Sequence, residues 1–598
     1  MKVLLASIDS KYIHSNLAVR SLKKYAEQKL RESGAFCDGG CMRVGADEAD
    51  AVCIEIAEYT INQQPQKVLA DIYKRDADII MFSCYIWNKA FMGKLLEDLA
   101  TVRPEVKIWL GGPEVSFDGA KILEEFPNVR GVMMGEGEET FAQLLKAYSG
   151  DELTSDHFRE IPGIICRDAA GGEIVRTPQR EPLDMDQLPF VYEDLADFEN
   201  RIIYYESSRG CPFRCSYCLS SVDKKLRFRS LDLVKKELKF FLDNKVQQVK
   251  FVDRTFNCDH DRTMEIWRFL RDNDNGVTNF HFEMAADILT YDEIELLGQL
   301  RPGQVQLEIG VQTTNLQTLE AICRPMDFDK LASNVETIKG TGSADSESRM
   351  TGNVHIHLDL IAGLPYEDMA SFKKSFNDVF SLRPEQLQLG FLKVLKGSPM
   401  ADRCEEYGLK YTAAPPYEVL ETKWLSYDDL LKLKQIEEMV EVYYNTGQFT
   451  RTLELILNGF DNAFDMFRAI GSYYEARDLE MMNLSRNRRY ELLLEFGQEY
   501  VDIVDLRQAM ILDYYSRENV KTRPGFLGDE TVSKDFAKEF YSMESREHRY
   551  LTGPKLAVCD DPRTLRKHTH IEKTSEGHLL FDYTRRDPIT NNAMIIQL

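Results

Sequence analysis

The chain has 598 residues, of which 43% are hydrophobic and 29% charged, and its formal net charge is −24. This length predicts about three to five domains, and the hydrophobic and charged fractions are typical of a globular protein. The negative charge argues against broad electrostatic binding to nucleic acid or to an anionic membrane.

The chain begins MKVLLASIDSKYIHS, in which a short apolar run ends at polar groups. A signal peptide needs a longer apolar core, and a membrane span needs about 20 apolar residues. We therefore expect a cytoplasmic protein without a membrane partner. Its thiols should be reduced, so closely spaced cysteines indicate a metal site before a disulfide.

Residues 1–150 alternate strand-like segments such as KVLLASID with amphipathic segments such as NLAVRSLKKYAEQKLRE. This alternation predicts a doubly wound parallel, Rossmann-like sheet. Ligands of such sheets bind beyond the carboxyl ends of the strands. The segments at those ends are SCYIWN (residues 83–88), GGPEVS (residues 111–116) and GEGEE (residues 135–139).

The rest of the chain divides into three further predicted parts. Residues 151–200 contain IPGIICRDAAGGEIVRTPQ, which predicts a hairpin with a Gly-Gly turn, followed by a linker. Residues 201–400 return to alternation, with six strand-like segments from RIIYYESS to QLQLGFLKVLK, and this predicts a partial (β/α)6 barrel. Residues 401–598 predict a mostly helical C-terminal domain.

Three cysteines lie close together in SSRGCPFRCSYCLSS, directly after the first predicted barrel strand. They are Cys211, Cys215 and Cys218, spaced Cys-x3-Cys-x2-Cys. A structural zinc site would need a fourth ligand, usually from a second cysteine pair, and no Cys-x2-Cys pair follows. A cubane iron–sulfur cluster on three thiolates leaves one iron open to a ligand. The spacing favours the cluster, with zinc as the alternative.

The segment CPFRCSYC resembles the signature of the radical S-adenosylmethionine (SAM) enzymes, including the aromatic Tyr217 before the third cysteine. The resemblance implies a [4Fe–4S] cluster whose open iron chelates the amino and carboxylate groups of SAM. It also implies reductive cleavage of SAM to a 5′-deoxyadenosyl radical, with an electron donor such as flavodoxin or ferredoxin.

Three later segments, FVDRTFN, LEIGVQT and LDLIAGLP, resemble the SAM-contacting strands of the same enzymes. The resemblance places four polar residues near SAM: Asp253, Glu308, Gln312 and Asp359. Alone, each could be a helix cap or a loop ion pair. The chain has Ala286 where related enzymes often carry an arginine, so that contact is missing or comes from elsewhere.

The order of a doubly wound sheet followed by this barrel resembles the cobalamin-binding subgroup of these enzymes. Glycines let a backbone approach a bulky ligand, and the resemblance implies that cobalamin is bound by Ser83, Gly111, Gly112, Pro113, Gly135, Glu136 and Gly137. Methionine synthase-like domains supply an axial histidine from Asp-x-His-x-x-Gly, which DSKYIHSNL lacks. We therefore expect His14 to be a loop histidine and not a cobalt ligand.

These resemblances imply a cobalamin-dependent radical SAM enzyme that methylates an unactivated carbon of an unknown substrate. One alternative is a radical SAM cyclase or rearrangement enzyme. Another is a tRNA methylthiotransferase, whose second cluster could use Cys37, Cys41, Cys53 and Cys84. A third, from a different class, is a non-catalytic cobalamin- or redox-sensing binding protein.

Overall fold

The computed structural model describes residues 1–38, 40–43, 51–149, 155–168, 172–223, 225–340, 352–520, 522–529, 531–575 and 577–598. The chain forms two compact units. Unit one comprises Met1–Ala285, Ile322–Pro325 and Leu392–Leu420. Unit two comprises Ala286–Ala321, Met326–Phe391 and Glu421–Leu598. The four-part domain organisation expected from the sequence stays a prediction.

Unit one begins with a nine-stranded sheet. Its strands are β1 (Lys2–Asp9), β2 (Phe36–Asp38), β3 (Cys41–Arg43), β4 (Ala51–Thr60), β5 (Ile79–Ser83), β6 (Lys107–Gly111), β7 (Val129–Met133), β8 (Ile164–Arg167) and β9 (Ile174–Arg176). The central strands β4-β1-β5-β6-β7 are parallel. This order is that of a doubly wound sheet.

Both faces of this sheet are covered. Along β1, Val3 and Leu5 contribute to one hydrophobic core, and Leu4, Ala6 and Ile8 contribute to the other. Successive side chains of a strand point to opposite faces, so a nearly continuous apolar run such as β1 is what a sheet with two covered faces requires.

Antiparallel strands extend both edges of the sheet. On one edge β2 pairs with β3 and β3 with β4, and on the other the hairpin β8–β9 pairs with β7. The hairpin was predicted as part of a linker, but it adds to the sheet; Gly171 of its Gly-Gly turn lies outside the described residues.

A disulfide joins Cys41 of β3 to Cys53 of β4. The two residues are directly opposite each other on neighbouring antiparallel strands, with their Cα atoms 4.2 Å apart. The expectation that every thiol is reduced is therefore wrong for this pair, because strand pairing brings together two cysteines that are separated by twelve positions in the sequence.

The helices of unit one begin at capping signals that the sequence carries. Asn16 caps the first of them by accepting a hydrogen bond from the backbone N of Val19, and Pro65 opens the second. The helices are Leu17–Glu32, Pro65–Lys74, Lys89–Val102, Pro113–Ser116, Gly119–Glu125, Glu138–Tyr148, Ser155–Arg159, Leu231–Asp243, His260–Asp272, Pro399–Asp402 and Cys404–Tyr407.

Unit one also contains the first three predicted barrel strands. They are β10 (Ile203–Tyr205), β13 (Gln248–Phe251) and β14 (Asn279–Met284), and each is parallel to the next. Two short antiparallel strands, β11 (Ser208–Arg209) and β12 (Arg227–Phe228), flank the three-cysteine segment.

Unit two contains the last three predicted barrel strands, β15 (Val305–Gln312), β16 (His355–Ala362) and β17 (Gln386–Phe391), which are also parallel. Buried residues alternate with half-buried ones along β15 and β16. The helices among these strands are Tyr291–Gly298, Leu316–Ala321, Phe328–Lys339 and Met369–Ser381.

The C-terminal part of unit two is mostly helical, as predicted. Its α-helices are Tyr427–Met439, Thr450–Leu457, Ala463–Glu475, Arg486–Gly497, Ile503–Arg517, Lys534–Glu547 and Pro562–His568. The chain ends in an antiparallel sheet of Thr569–Thr574, Gly577–Arg586 and Ala593–Gln597. None of the helices described could cross a bilayer, since none is both long and apolar enough.

Candidate cofactor site

The three-cysteine segment forms a loop after β11, which we call the cluster loop (residues 210–218). Cys211, Cys215 and Cys218 are all free thiols, and Cys215 is buried. Two backbone hydrogen bonds fix the middle of the loop. The N–H of Ser216 donates to the carbonyl of Ile322 at 2.8 Å, and the N–H of Met400 donates to the carbonyl of Ser216 at 2.9 Å.

The separation of the three sulfurs bears on the choice between zinc and a cluster. A tetrahedral zinc ion with bonds of about 2.3 Å holds its thiolates roughly 3.8 Å apart. In the described part of the chain, only Glu308, His357 and Asp359 bring three metal-ligating atoms within 4.8 Å of one another. The three cysteine sulfurs are therefore not all within 4.8 Å of one another, and their assignment as the ligands of a multi-iron cluster stays a prediction.

A cation lies beside this loop. Arg324 Nη1 donates to Cys215 Sγ at 3.5 Å. A guanidinium matches a carboxylate in a bidentate arrangement, and the carboxylate of SAM is the anion expected at the open iron. The sequence analysis did not single out Arg324, because no local pattern brings it to Cys215, which lies 109 residues away.

Asp253, predicted near SAM, holds the backbone that leads into the cluster loop. It is 2% exposed, and its Oδ1 accepts from the backbone N of Ser207 at 2.7 Å and of Ser208 at 3.1 Å. Its Oδ2 accepts from Ser207 Oγ at 2.5 Å. Burial raises the pKa of Asp253, and these hydrogen bonds oppose that rise. These bonds fix Ser207 and Ser208, which lead into the cluster loop, while the contact of Asp253 with SAM stays a prediction.

An ion network, which we call the Arg209 clamp, joins Arg209 of β11, directly before the cluster loop, to the residues that follow β7. Arg209 is only 14% exposed, and its guanidinium lies 2.6 Å from Glu138 Oε1, 3.2 Å from Glu136 Oε2 and 2.9 Å from Glu206 Oε2. Arg227 also binds Glu136. Burial raises the pKa of Glu138, but the charge of Arg209 together with hydrogen bonds from Arg209, Ser21 and the backbone of Glu138 lowers that pKa overall.

The residues predicted to contact cobalamin lie at the carboxyl edge of the first sheet. Ser83 ends β5 opposite Gly111, which ends β6. Gly112 has φ +109°, and a Cβ there would lie 2.4 Å from the carbonyl oxygen of Cys84. Only glycine permits that approach. Gly135 has φ +68°, and no atom lies within 4 Å of where its Cβ would be. These loops fit a bulky ligand that approaches the backbone.

The other residues predicted at this edge have specific positions. Pro113 begins the short helix Pro113–Ser116, and Gly137 is the N-cap of Glu138–Tyr148. The carboxylate of Glu136 is already bound by the Arg209 clamp and by the backbone N of Leu183. Glu136 is thus placed to hold the loop after β7 against the cluster loop.

A pair of aromatic rings lies at the same edge. Tyr85 and Trp87 are stacked with centroids 4.4 Å apart and planes 5° from parallel, and Trp87 is 43% exposed. The indole N–H donates to the carbonyl of Ile8 at 3.2 Å, which fixes the ring. Burial and the charge of Asp9 raise the pKa of Tyr85 to about 12. The exposed ring of Trp87 offers a flat apolar surface suited to a macrocycle. The sequence analysis placed residues 83–88 at the end of a strand but assigned no role to the two aromatic residues.

In unit two, Glu308 and Asp359 come together with a histidine that sequence reasoning missed. His357 Nε2 lies 3.2 Å from Asp359 Oδ1, and β15 places Glu308 directly opposite His357. Alternation along a strand explains this arrangement, since His357 and Asp359 are two residues apart and share a face.

Gln312, a residue of unit two predicted to contact SAM, combines an unusual backbone conformation with a buried side-chain acceptor. It has φ +71° and follows a register shift in the β15–β16 pairing. Its side-chain oxygen is buried, and in the described part of the chain no group donates to it. A strained backbone with an unsatisfied buried acceptor fits a residue that binds a hydrogen-bond donor of a ligand.

His14 Nδ1 lies 2.6 Å from Tyr204 Oη, and the expectation that His14 is no cobalt ligand stays a prediction. We predict that His14→Ala leaves the absorption spectrum of bound cobalamin unchanged. The measurement is the spectrum of the reduced and oxidised cofactor in both proteins. A shifted spectrum or loss of cobalamin from the variant would make His14 a ligand.

Comparison with known proteins identifies the parts of the chain. Residues 5–145 match the B12 binding domain, residues 205–379 match the radical SAM superfamily, and residues 405–593 match a protein family of unknown function (DUF4080). These matches confirm the predicted recognition and the predicted cofactors, namely cobalamin, SAM and the cluster that radical SAM domains carry.

Two relatives are 24% identical to this chain. One is the 2-(S-pantetheinyl)-carbapenam-3-carboxylate methyltransferase of Streptantibioticus cattleyicolor, with matches covering 73% of this chain and 66% of that protein. The other is the cobalamin-dependent radical SAM methyltransferase TokK of Streptomyces tokunonensis, covering 69% and 63%. The chain thus spans just under two thirds of each relative.

Two solved structures share the fold. The cobalamin-dependent SAM radical enzyme OxsB, with aqua-cobalamin and SAM bound, gives a TM-score of 0.52 at 14% identity, covering 86% of this chain and 84% of OxsB. The radical SAM methyltransferase TsrM of Kitasatospora setae gives 0.50 at 17% identity, covering 69% and 77%. These similarities confirm the predicted fold class.

Proposed function

We propose that this chain, which belongs to the radical SAM enzymes that carry a B12-binding domain, is a methyltransferase acting on an unactivated carbon. The observation that carries the proposal is the Arg209 clamp. It ties a loop at the carboxyl edge of the first sheet to the loop that holds the three cysteines. Two cofactor loops held by one ion network suit a reaction in which both cofactors act on one substrate.

When bound, the cluster and SAM supply a 5′-deoxyadenosyl radical, and cobalamin supplies a methyl group. The chain's own residues hold and orient these groups. Cys211, Cys215 and Cys218 would be the cluster ligands, and Arg324 would pair with the SAM carboxylate. The glycine loops after β6 and β7 would receive the nucleotide tail of cobalamin, with Trp87 beside its ring.

The two methyltransferase relatives support methyl transfer over the alternatives. A second candidate is cyclisation, because the anaerobic magnesium-protoporphyrin IX monomethyl ester cyclase of Cereibacter sphaeroides is 33% identical over 120 residues, although these cover only 18% of this chain. The disulfide between Cys41 and Cys53 and the complete burial of Cys84 argue against a tRNA methylthiotransferase, which would need those thiols for a second cluster.

Reductive cleavage of SAM would consume one electron and restoring cobalamin after methyl transfer a second, so the enzyme needs a reductant. A flavodoxin or ferredoxin in the cytoplasm of an anaerobic cell would supply it. The cluster, with one iron open to ligands, would be sensitive to oxygen, which fits such a setting.

Methyl transfer is tested with SAM labelled on its methyl group, given to reduced, cobalamin-loaded enzyme together with an extract of its host. We expect label in a product, with 5′-deoxyadenosine and S-adenosylhomocysteine formed in step. The control is the Cys211→Ala variant, which should form no 5′-deoxyadenosine. If a product forms together with 5′-deoxyadenosine but without S-adenosylhomocysteine, the methylation proposal is wrong and the enzyme catalyses a cyclisation or rearrangement.

A further inference from the structure

Glu114 is a buried charge in the segment GGPEVS (residues 111–116), whose first residue ends β6 and which we call the Gly-Gly-Pro segment. Its side chain is 6% exposed, and it follows Pro113 directly. A carboxylate so removed from water must be paired and hydrogen-bonded to be tolerated. Two cations are near it: Lys89 Nζ and Lys396 Nζ each lie 3.6 Å from Glu114 Oε1.

The hydrogen bond that completes this environment comes from far along the chain. Tyr417 Oη donates to Glu114 Oε1, across a separation of 303 residues. Tyr417 is 4% exposed, so the bond is shielded from water. The ammonium of Lys396 lies 5.3 Å from the centre of the Tyr417 ring and 3.2 Å from Asp118 Oδ2. Burial and the hydrogen bond to Glu114 raise the pKa of Tyr417, so it remains a donor at neutral pH.

The backbone of Tyr417 is held in an unusual conformation. Its φ is +56°, a left-handed value that is costly for a bulky residue. It persists because the carbonyl of Tyr417 accepts from the N–H of Val394 at 3.0 Å, and its own N–H donates to the carbonyl of Ala414 at 3.1 Å. A strained residue fixed at both backbone groups, with its hydroxyl on a buried carboxylate, indicates a positioning role.

A further residue of Leu392–Leu420, Gly397, also lies close to this part of unit one. Gly397 has φ +79°, and a Cβ there would fall 2.2 Å from the ring of Phe117. Residues of Leu392–Leu420 therefore pack closely against the Gly-Gly-Pro segment and the two residues after it, Phe117 and Asp118. Glu114, Phe117 and Asp118 all contact Leu392–Leu420.

We propose that Tyr417 and Glu114 are positioning residues that hold the Gly-Gly-Pro segment in the conformation that receives the nucleotide tail of cobalamin. The proposal rests on the proposed cobalamin binding and extends it to a residue outside the B12 domain. Gly112 has no side chain with which to fix its own conformation. Its neighbour Glu114, anchored by Tyr417, supplies the missing constraint.

The test uses the full chain with its cluster reconstituted under anaerobic conditions. Hydroxocobalamin is titrated into wild type, Tyr417→Phe and Glu114→Gln, and bound cofactor is measured by equilibrium dialysis and by visible circular dichroism. Tyr417→Phe keeps the ring and removes only the donor. Losing a hydrogen bond to a buried charge corresponds to a factor of about ten or more. We therefore expect about tenfold weaker binding and an altered dichroism, with iron content and SAM affinity as in wild type.

Tyr411→Phe is the matched control, since Tyr411 lies in the same segment but is 39% exposed; it should bind cobalamin as wild type does. Equal affinity and dichroism of Tyr417→Phe and wild type would overturn the positioning role. So would loss of the cluster together with cobalamin, which would indicate a general folding defect. A wild type that binds no cobalamin would instead refute the proposed function.

Discussion

A variant with alanine at Cys211, Cys215 and Cys218 is expected to lose all iron–sulfur absorbance while it remains folded. The wild type should contain about four irons per chain after anaerobic reconstitution, and the variant none. The fold should survive because the cluster loop is held by backbone hydrogen bonds of Ser216 and by Asp253, and these do not involve the thiols. Iron and sulfide content, visible absorbance and far-ultraviolet circular dichroism are the measurements.

The matched control replaces three other free cysteines, Cys323, Cys404 and Cys559. It removes the same number of thiols and should keep about four irons. Iron retained at the wild-type level in the first variant would mean that the cluster ligands are wrongly assigned. About eight irons in the wild type would indicate a second cluster and revive the methylthiotransferase alternative.

The sequence predicted the strands and helices that have strong periodicity or flank a motif. All five parallel strands of the first sheet and all six barrel strands were expected, because each is a run of apolar or alternating residues. The strands Phe36–Asp38 and Cys41–Arg43 were missed. Three residues are too few to show a period of two, and these strands exist because β4 offers an edge with which to pair.

The same limit applies to the site. The three cysteines are close in sequence, so their spacing alone indicated a cluster. Arg324 reaches Cys215 across 109 residues, and Tyr417 reaches Glu114 across 303. No local pattern marks such pairs, since they depend on how the chain folds back on itself. The predicted contacts of Asp253 with SAM and of Glu136 with cobalamin stay predictions, and the hydrogen-bond partners that these residues have in the fold could not be inferred from spacing.

Replacing Arg209 with methionine is expected to cause the largest loss of stability among single substitutions in the cofactor loops. Arg209 is 14% exposed and contacts three carboxylates, one of which, Glu138, is 7% exposed. Removing one partner of a buried ion pair costs about 3–5 kcal/mol, because the remaining charge stays buried without compensation. The variant should also bind both cobalamin and the cluster more weakly, since the two loops are no longer joined.

The measurement is the urea midpoint of unfolding of the cofactor-free protein, followed by iron content and cobalamin affinity. Arg268→Met is the matched control. It removes an exposed pair with Glu265, with the charges 3.6 Å apart and the side chains 50% and 45% exposed, so the urea midpoint should change little. Arg209→Lys should fall between wild type and Arg209→Met, because an ammonium keeps the charge but cannot reach three carboxylates at once.

The pH dependence separates an electrostatic role for Arg209 from simple packing. In the wild type the pKa of Glu138 is lowered below its ordinary 4.5, so its ionised form stabilises the fold above that pH, and this stability is lost as pH falls through the lowered pKa. Without Arg209, burial would dominate and raise the pKa of Glu138 in the folded variant, so that its carboxyl takes up a proton more readily. A neutral carboxyl is less costly to bury, so the difference in urea midpoint between wild type and Arg209→Met should shrink from pH 8 to pH 6. A difference that stays constant over this range would mean that the arginine acts through its packing, and that the two cofactor loops are not held together by charge.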